Sequence, residues 1–228
     1  MRSARPPRGT SGAALAGEFS LGVVLLGGAA LAGYVLIRRP WANRLDAAGF
    51  AAFPANVHDG LYHEVVHIGS LPFLLGGIAL AIVLSIWRDW PRSVACVIGP
   101  LAAVVITEQV AKPLVGRHLG PFGGDSYPSG TVTAAAALVT VVTLAAPIVL
   151  RPLVGLAGLM VIGAVGIAVV GLRWHFPTDA IGGALVGVGS VLTLDALVHV
   201  PGHWRRRSQH PVADQRIEPA RSWSSVPG

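Results

Sequence analysis

Apolar residues fill six stretches of the chain, at about 20–37, 67–87, 93–111, 129–150, 153–172 and 179–200. A run of roughly 18 or more such residues is long enough to cross a bilayer as a helix. A helix is the element expected there, because it satisfies its own backbone polar groups where no water can. The pattern therefore predicts an all-α protein, a bundle of six transmembrane helices over 18–200, with short connections and no room for a separate soluble domain. Small residues recur along these stretches, as in "GGALVGVGS", and let membrane helices approach closely. The flanks, 1–17 and about 201–228, are rich in Pro, Ser, Gly and Arg and are expected to be disordered cytoplasmic tails.

Composition agrees with the pattern. Hydrophobic residues make up 53% of the 228 and charged residues only 12%, far below the charged fraction of an ordinary soluble domain. The net charge of +6 reads as membrane topology rather than as affinity for nucleic acid. With the N-terminus inside, eleven basic residues fall on the cytoplasmic side: Arg2, Arg5, Arg8, Arg88, Arg92, Arg151, Arg205, Arg206, Arg207, Arg216 and Arg221. Six fall outside: Arg38, Arg39, Arg44, Lys112, Arg117 and Arg173. The bias places both termini in the cytoplasm, and "HWRRRSQH" after the last span is its strongest anchor, suited also to contact with anionic lipid. The start of the chain also has the look of a signal peptide, but its apolar run continues past "ALA" at 30–32 to a basic flank, so a retained first helix is expected. Cys96 is the sole cysteine, which excludes a disulfide framework and a cysteine-based metal site and leaves a small packing residue. Arginine outnumbers lysine sixteen to one in an Ala-, Gly- and Val-rich chain, the composition of a high-GC bacterial genome.

Topology brings three polar segments to one face. The third span ends near Lys112, the fourth begins at Pro128-Ser129-Gly130, and "RWHFPTD" (173–179) joins the fifth to the sixth, all on the outer side. Ionisable residues near membrane depth are costly, so their convergence marks a functional candidate. Ser129 suits an N-cap, and the free N–H groups and dipole of the helix it starts form an anion site. Lys112 and Arg117 add positive charge, and arginine can grip phosphate oxygens in pairs. His175 and Asp179 lie four apart, so a carboxylate holding one ring nitrogen would leave the other as base or nucleophile. The group reads as a phosphoryl-transfer site. Each member has a plainer reading too. Ser129 caps a helix, Arg117 and Arg173 anchor at an interface, Glu108 and Lys112 neutralise each other at i,i+4, and His175-Asp179 is a structural bond. Asp195 and His199 lie roughly 24 Å along the last helix from Asp179 and are expected to bond between helices. Asp125 and Tyr127, in the outer loop, are candidates for shaping the pocket mouth.

The residues "KPLVGRHLG", "YPSGT" and "AVVGLRWHFPTD" resemble, in order and helix position, the three motifs of the type 2 phosphatidic acid phosphatase (PAP2) superfamily, K-x6-R-P, P-S-G-H and S-R-x5-H-x3-D. That family comprises six-helix membrane phosphatases related to vanadium haloperoxidases, and the resemblance covers about residues 60–195. It implies a phosphohistidine at His175, an orienting Asp179, and a phosphate held by Lys112, Ser129 and the Gly130 backbone, with no metal or other cofactor. Three departures stand out. The first motif's Arg-Pro falls on Leu119-Gly120, with Arg117 two residues earlier as a substitute. The third motif's Ser-Arg falls on Ala168-Val169, with Arg173 one turn later. The second motif's His, the general acid of the family, falls on Thr131, whose hydroxyl is far too weak an acid for that work. Three consequences are open: His118 supplies the proton; the leaving group needs little protonation, as in a polyprenyl diphosphate; or hydrolysis has been lost and only binding or transport of lipid phosphate remains. The favoured expectation is a plasma-membrane enzyme that hydrolyses a lipid phosphate or polyprenyl diphosphate on the extracytoplasmic side, with membrane lipids as its surroundings.

A competing motif is "HEVVH" at 63–67, an H-E-x-x-H match. On a helix it puts His63 and His67 on one face as zinc ligands with Glu64 as general base, the signature of a membrane zinc peptidase, with His58 as the nearest third ligand. Its plainer reading is a polar helix start at the interface, and a third is a part in proton transfer beside the phosphate site.

Overall fold

The computed structural model describes residues 12–53, 59–87, 89–117 and 125–209, and these are predominantly helical. Helix α1 (Gly12–Leu31) continues through a π-helical segment (Ala32–Leu36), and α2 (Pro40–Ala52) follows. Helix α3 (Asp59–Val66) passes through a 3-10 turn (His67–Gly69) into α4 (Leu71–Ser85). Helix α5 (Trp90–Val105), a π-helical segment (Ile106–Ala111) and α6 (Lys112–Val115) form one long rod. Helices α7 (Gly130–Ala145), α8 (Arg151–Gly171) and α9 (Pro177–Gln209) complete the bundle.

Gly12–Val35, Trp90–Val115, Arg151–Gly171 and Pro177–Val200 are each long and apolar enough to cross a membrane. A fifth crossing is available to Gly60–Gly69 with Leu71–Ser85, bent by 46° between the two. Helix α7 is the sixth apolar helix, at 16 residues. These match the six apolar stretches, with shifted ends. Helix α1 begins inside the expected N-terminal tail, where the alanines after Gly12 favour helix, and α9 runs on to Gln209. The remainder of both expected tails lies outside the described residues. Helix α7 stops before Pro147 rather than at 150, and Arg151 closes its end by donating to the carbonyls of Leu144 (2.7 Å) and Ala146 (3.2 Å), which the helix itself leaves open.

Large apolar side chains face outward: Leu21 and Val24 on α1, Phe73 and Val83 on α4, Leu156 and Met160 on α8 are all exposed. The interior is built of small ones, with Ala135, Ala136, Ala137, Val141, Val165, Ala168, Val169 and Val191 fully buried. That inversion suits a surrounding of hydrocarbon, where exposed leucine carries no penalty and close backbone packing holds helices together. The chain is a multi-pass membrane protein. Helix α9 lies at its centre, against α1, α5, α7 and α8. One close approach is at Gly187, where a Cβ would sit 2.5 Å from the Thr133 carbonyl oxygen and 2.8 Å from the Ala136 Cβ.

Helix α2 has no counterpart in the hydrophobic pattern. It is too short and polar to span, with Pro40 in its first turn and Asn43, Arg44 and Asp46 along it. Its inner face presents Ala42, Asp46, Gly49 and Phe50 at helical spacing, and it packs on the start of α9.

Candidate active site

The start of α7 is fixed by its neighbours. Ser129 is fully buried with an extended backbone, and its Oγ accepts the Val132 N–H at 3.4 Å, so it is the N-cap of the helix. Its own N–H donates to the Asp179 carbonyl at 2.9 Å and ties the start of α7 to the start of α9. Beside Gly130 stand Glu108 and Lys112: a Cβ added there would lie 3.8 Å from the Lys112 Nζ. The ammonium is therefore at the N-terminal end of α7, where free N–H groups and the helix dipole also favour an anion. In this state Lys112 donates to both Glu108 carboxylate oxygens at 2.8 Å. Thr131, half-buried in the first turn of α7, packs against Gly69 at the break between α3 and α4, where a Cβ would overlap its carbonyl.

His175 lies in the short α8–α9 connection. Arg173 takes a left-handed backbone (φ 63°), the conformation that turns the chain out of α8, and the N–H groups of Trp174 and His175 both point to the Val169 carbonyl. The His175 Nδ1 is 2.9 Å from the Ser126 carbonyl oxygen. A carbonyl only accepts, so Nδ1 carries the hydrogen and the neutral ring keeps its lone pair on Nε2. The expected hydrogen bond from the His175 ring to Asp179 is not formed, since the Asp179 Oδ2 stands 3.8 Å from Nδ1. Both Asp179 oxygens have other partners: Oδ1 accepts from Arg117 at 2.9 Å, and Oδ2 accepts the Phe176 N–H at 2.9 Å. Asp179 is fully buried and stays close enough to stabilise a positive charge on the ring.

The two arginines have defined partners. Arg117 Nη1 donates to Asp179 and to the Thr178 hydroxyl (2.8 Å), Nη2 donates to Asp46, and the guanidinium lies over the Phe176 ring at 4.1 Å. Arg173 donates to the carbonyls of Phe50 and Phe53 at the end of α2 and stacks on the Phe50 ring at 4.4 Å. Its guanidinium thus closes the C-terminus of α2, where a cation suits the dipole. That leaves Lys112 and the N-terminal end of α7 as the part of the candidate site whose charge and free N–H groups can attract an anion. His118, the proposed proton donor, lies outside the described residues.

Sequence reasoning did not find Asp46 or Ser126. Asp46 accepts the Thr178 N–H (3.0 Å), the Thr178 hydroxyl and Arg117. Its signal was a carboxylate on the small-residue face of "WANRLDAAGF". Ser126 acts through a carbonyl, which any residue supplies and no motif reveals. Tyr127 is buried rather than at a pocket mouth. Its ring fills the space beside Gly33 and Gly182, and its hydroxyl donates to the Ala29 carbonyl at 2.5 Å. Burial, then the Asp179 charge, push that hydroxyl up to about 12, so it remains a donor.

In "HEVVH", α3 ends at Val66 and His67 opens the 3-10 turn, so the helical register that would face His67 towards His63 breaks there. His63 sits edge-on to Trp174, 5.7 Å between centroids. Among the described residues no three His, Cys, Asp or Glu side chains are grouped to hold a metal, and His58 lies outside them. At the opposite end of α9, Asp195 pairs with Arg92 and His199 with Asp89, the interhelical bonds expected of them.

The family model described as PAP2 superfamily matches residues 90–200, from α5 to α9. No curated protein sequence matches the chain. Among solved structures, the crystal structure of the first transmembrane PAP2 type phosphatidylglycerolphosphate phosphatase from Bacillus subtilis shares the fold, with a TM-score of 0.59 at 20% identity over 83% of this chain and 96% of that one. The match covers all three polar segments, and together with the common fold it identifies residues 90–200 as a PAP2 superfamily region.

Proposed function

We propose that the chain is a membrane phosphatase that hydrolyses a lipid phosphate, and that its preferred substrates are diphosphates such as polyprenyl diphosphate. The observation that carries this reading is the position of His175. Its Nδ1 is fixed by the Ser126 carbonyl, three residues before the cap of α7, leaving Nε2 as the available nucleophile. In the reaction Nε2 attacks phosphorus, the bond to the leaving oxygen breaks, and a phosphohistidine forms. Water then attacks that phosphorus, releasing phosphate and restoring the neutral ring. Lys112, the Ser129 cap and the free N–H groups of Gly130 and Thr131 hold the equatorial oxygens, and the buried Asp179 carboxylate stabilises the charge the ring gains. Lys112 exchanges Glu108 for phosphate when substrate arrives.

Thr131 cannot protonate the leaving oxygen, which sets the substrate class. Expelling a lipid monophosphate needs little help, whereas expelling a lipid alkoxide needs an acid. Purified protein is expected to release phosphate from polyprenyl diphosphate at least about tenfold faster than from phosphatidic acid, a modest fraction of what a positioned acid contributes. Equal rates, or a preference for the monoester, would remove the leaving-group argument and make His118 the donor to test. The distribution of basic residues, eleven against six, supports a site on the extracytoplasmic side of the plasma membrane.

A further inference from the structure

The family resemblance assigns nothing to α2, yet α2 carries the carboxylate that completes the ion network beneath His175. Asp46 and Asp179 are both buried, at 4% and 0% exposure, and share one guanidinium, that of Arg117. Arg117 Nη2 goes to Asp46 and only Nη1 reaches Asp179, at its Oδ1. Asp179 Oδ2 is left for the Phe176 N–H and faces the His175 ring at 3.8 Å. An arginine beside a single carboxylate ordinarily takes both oxygens, through two parallel N–H bonds. Asp46 prevents that by drawing off one nitrogen. Its second oxygen accepts the Thr178 N–H and holds the first turn of α9 in place. Anchoring α2 does not depend on Asp46, since Arg173 grips the Phe50 and Phe53 carbonyls and the Phe50 ring packs on Phe176 at 4.9 Å.

We infer that Asp46 is a positioning residue for the phosphoryl-transfer site: by dividing Arg117 between two carboxylates it keeps one oxygen of Asp179 turned towards His175. The inference rests on the phosphatase reading for its catalytic consequence, though not for its geometry. Asp46→Asn keeps the shape and an acceptor for the Thr178 N–H but loses the charge that holds Arg117. It is expected to lower kcat about thirtyfold while KM stays within about threefold, as a small misplacement of a reacting group does. The decisive comparison uses Arg117→Lys, because lysine is a point charge that cannot take both oxygens. In that background Asp46→Asn should cost less than about threefold, whereas a merely structural role would cost the same in both. A second readout needs no turnover: carbethoxylation of His175 by diethyl pyrocarbonate, followed by mass spectrometry, should be several times faster in Asp46→Asn than in the parent. Equal cost in both backgrounds, or unchanged kcat and unchanged carbethoxylation, would overturn the inference. An inactive parent would instead remove the phosphatase reading, and the carbethoxylation rates would still decide the role of Asp46.

Discussion

Replacing His175 by alanine is expected to lower phosphate release from the lipid substrate by about 10⁴-fold or more, the scale of losing a nucleophile for which nothing nearby can substitute. No other described imidazole is held at this point of the fold. His63 stands against Trp174 at the end of α3, and His199 is at the far end of α9. The loss should come with little change in stability. The ring is partly exposed and makes one hydrogen bond, to the Ser126 carbonyl, while the connection around it is held independently by Arg173 and Asp46. KM is expected to move little, because the proposed phosphate contacts, Lys112 and the start of α7, are unchanged. The assay is phosphate release by parent and variant in the same detergent or lipid, with thermal unfolding followed in parallel. Residual turnover within tenfold of the parent would show that the reaction does not pass through His175.

The largest effect on stability is expected at the other end of α9. Arg92 donates Nε (3.1 Å) and Nη2 (2.9 Å) to the two oxygens of Asp195, and both side chains are buried between α5 and α9. Asp195 also lies beside His199, whose Nε2 meets Asp89 at 2.9 Å. Burial alone would raise the Asp89 carboxyl, but the His199 hydrogen bond and the Arg92 charge outweigh it and hold it below the usual carboxylate range. Asp195→Ala removes the paired carboxylate of the buried Arg92 guanidinium and leaves it Asp89, 3.4 Å away, and is expected to cost about 3–5 kcal/mol. The pair Arg92→Met with Asp195→Leu removes both charges and is expected to cost much less, because no buried ion is left unpaired. Unfolding of the detergent-solubilised protein measures both. Turnover per folded molecule should be unchanged in the double variant, since Asp195 is roughly 24 Å along α9 from Asp179. A double variant as unstable as the single one would locate the stability in the polar network itself.

What could be read from the chain follows from which forces leave local traces. Six apolar helices were legible because each is a continuous run, and the candidate site could be proposed because Lys112, Ser129, His175 and Asp179 are ionisable or capping residues at the ends of such runs. Helix ends were less legible: Pro147 stopped α7 within its expected stretch, and the Arg run carried α9 beyond its apolar part. Helix α2 escaped because a short surface helix has no apolar run, only a face of Ala42, Asp46, Gly49 and Phe50. The roles of the two arginines were illegible for a different reason. A sequence shows that Arg117 and Arg173 are near the proposed phosphate-binding residues but not which carboxylates or carbonyls reach them first. Asp46 lies far from Arg117 in the chain, and the carbonyls of Phe50 and Phe53 carry no identity at all.

In the proposed reaction the phosphoryl group is transferred to one ring nitrogen, Nε2 of His175. Incubating the protein with polyprenyl diphosphate labelled at its terminal phosphate, quenching in alkaline detergent and mapping the label by mass spectrometry tests it directly. An acid-labile phosphoryl group is expected on His175 Nε2, and it should disappear in His175→Ala. Substrate turnover with no label on the protein, or with the label on another residue, would contradict it.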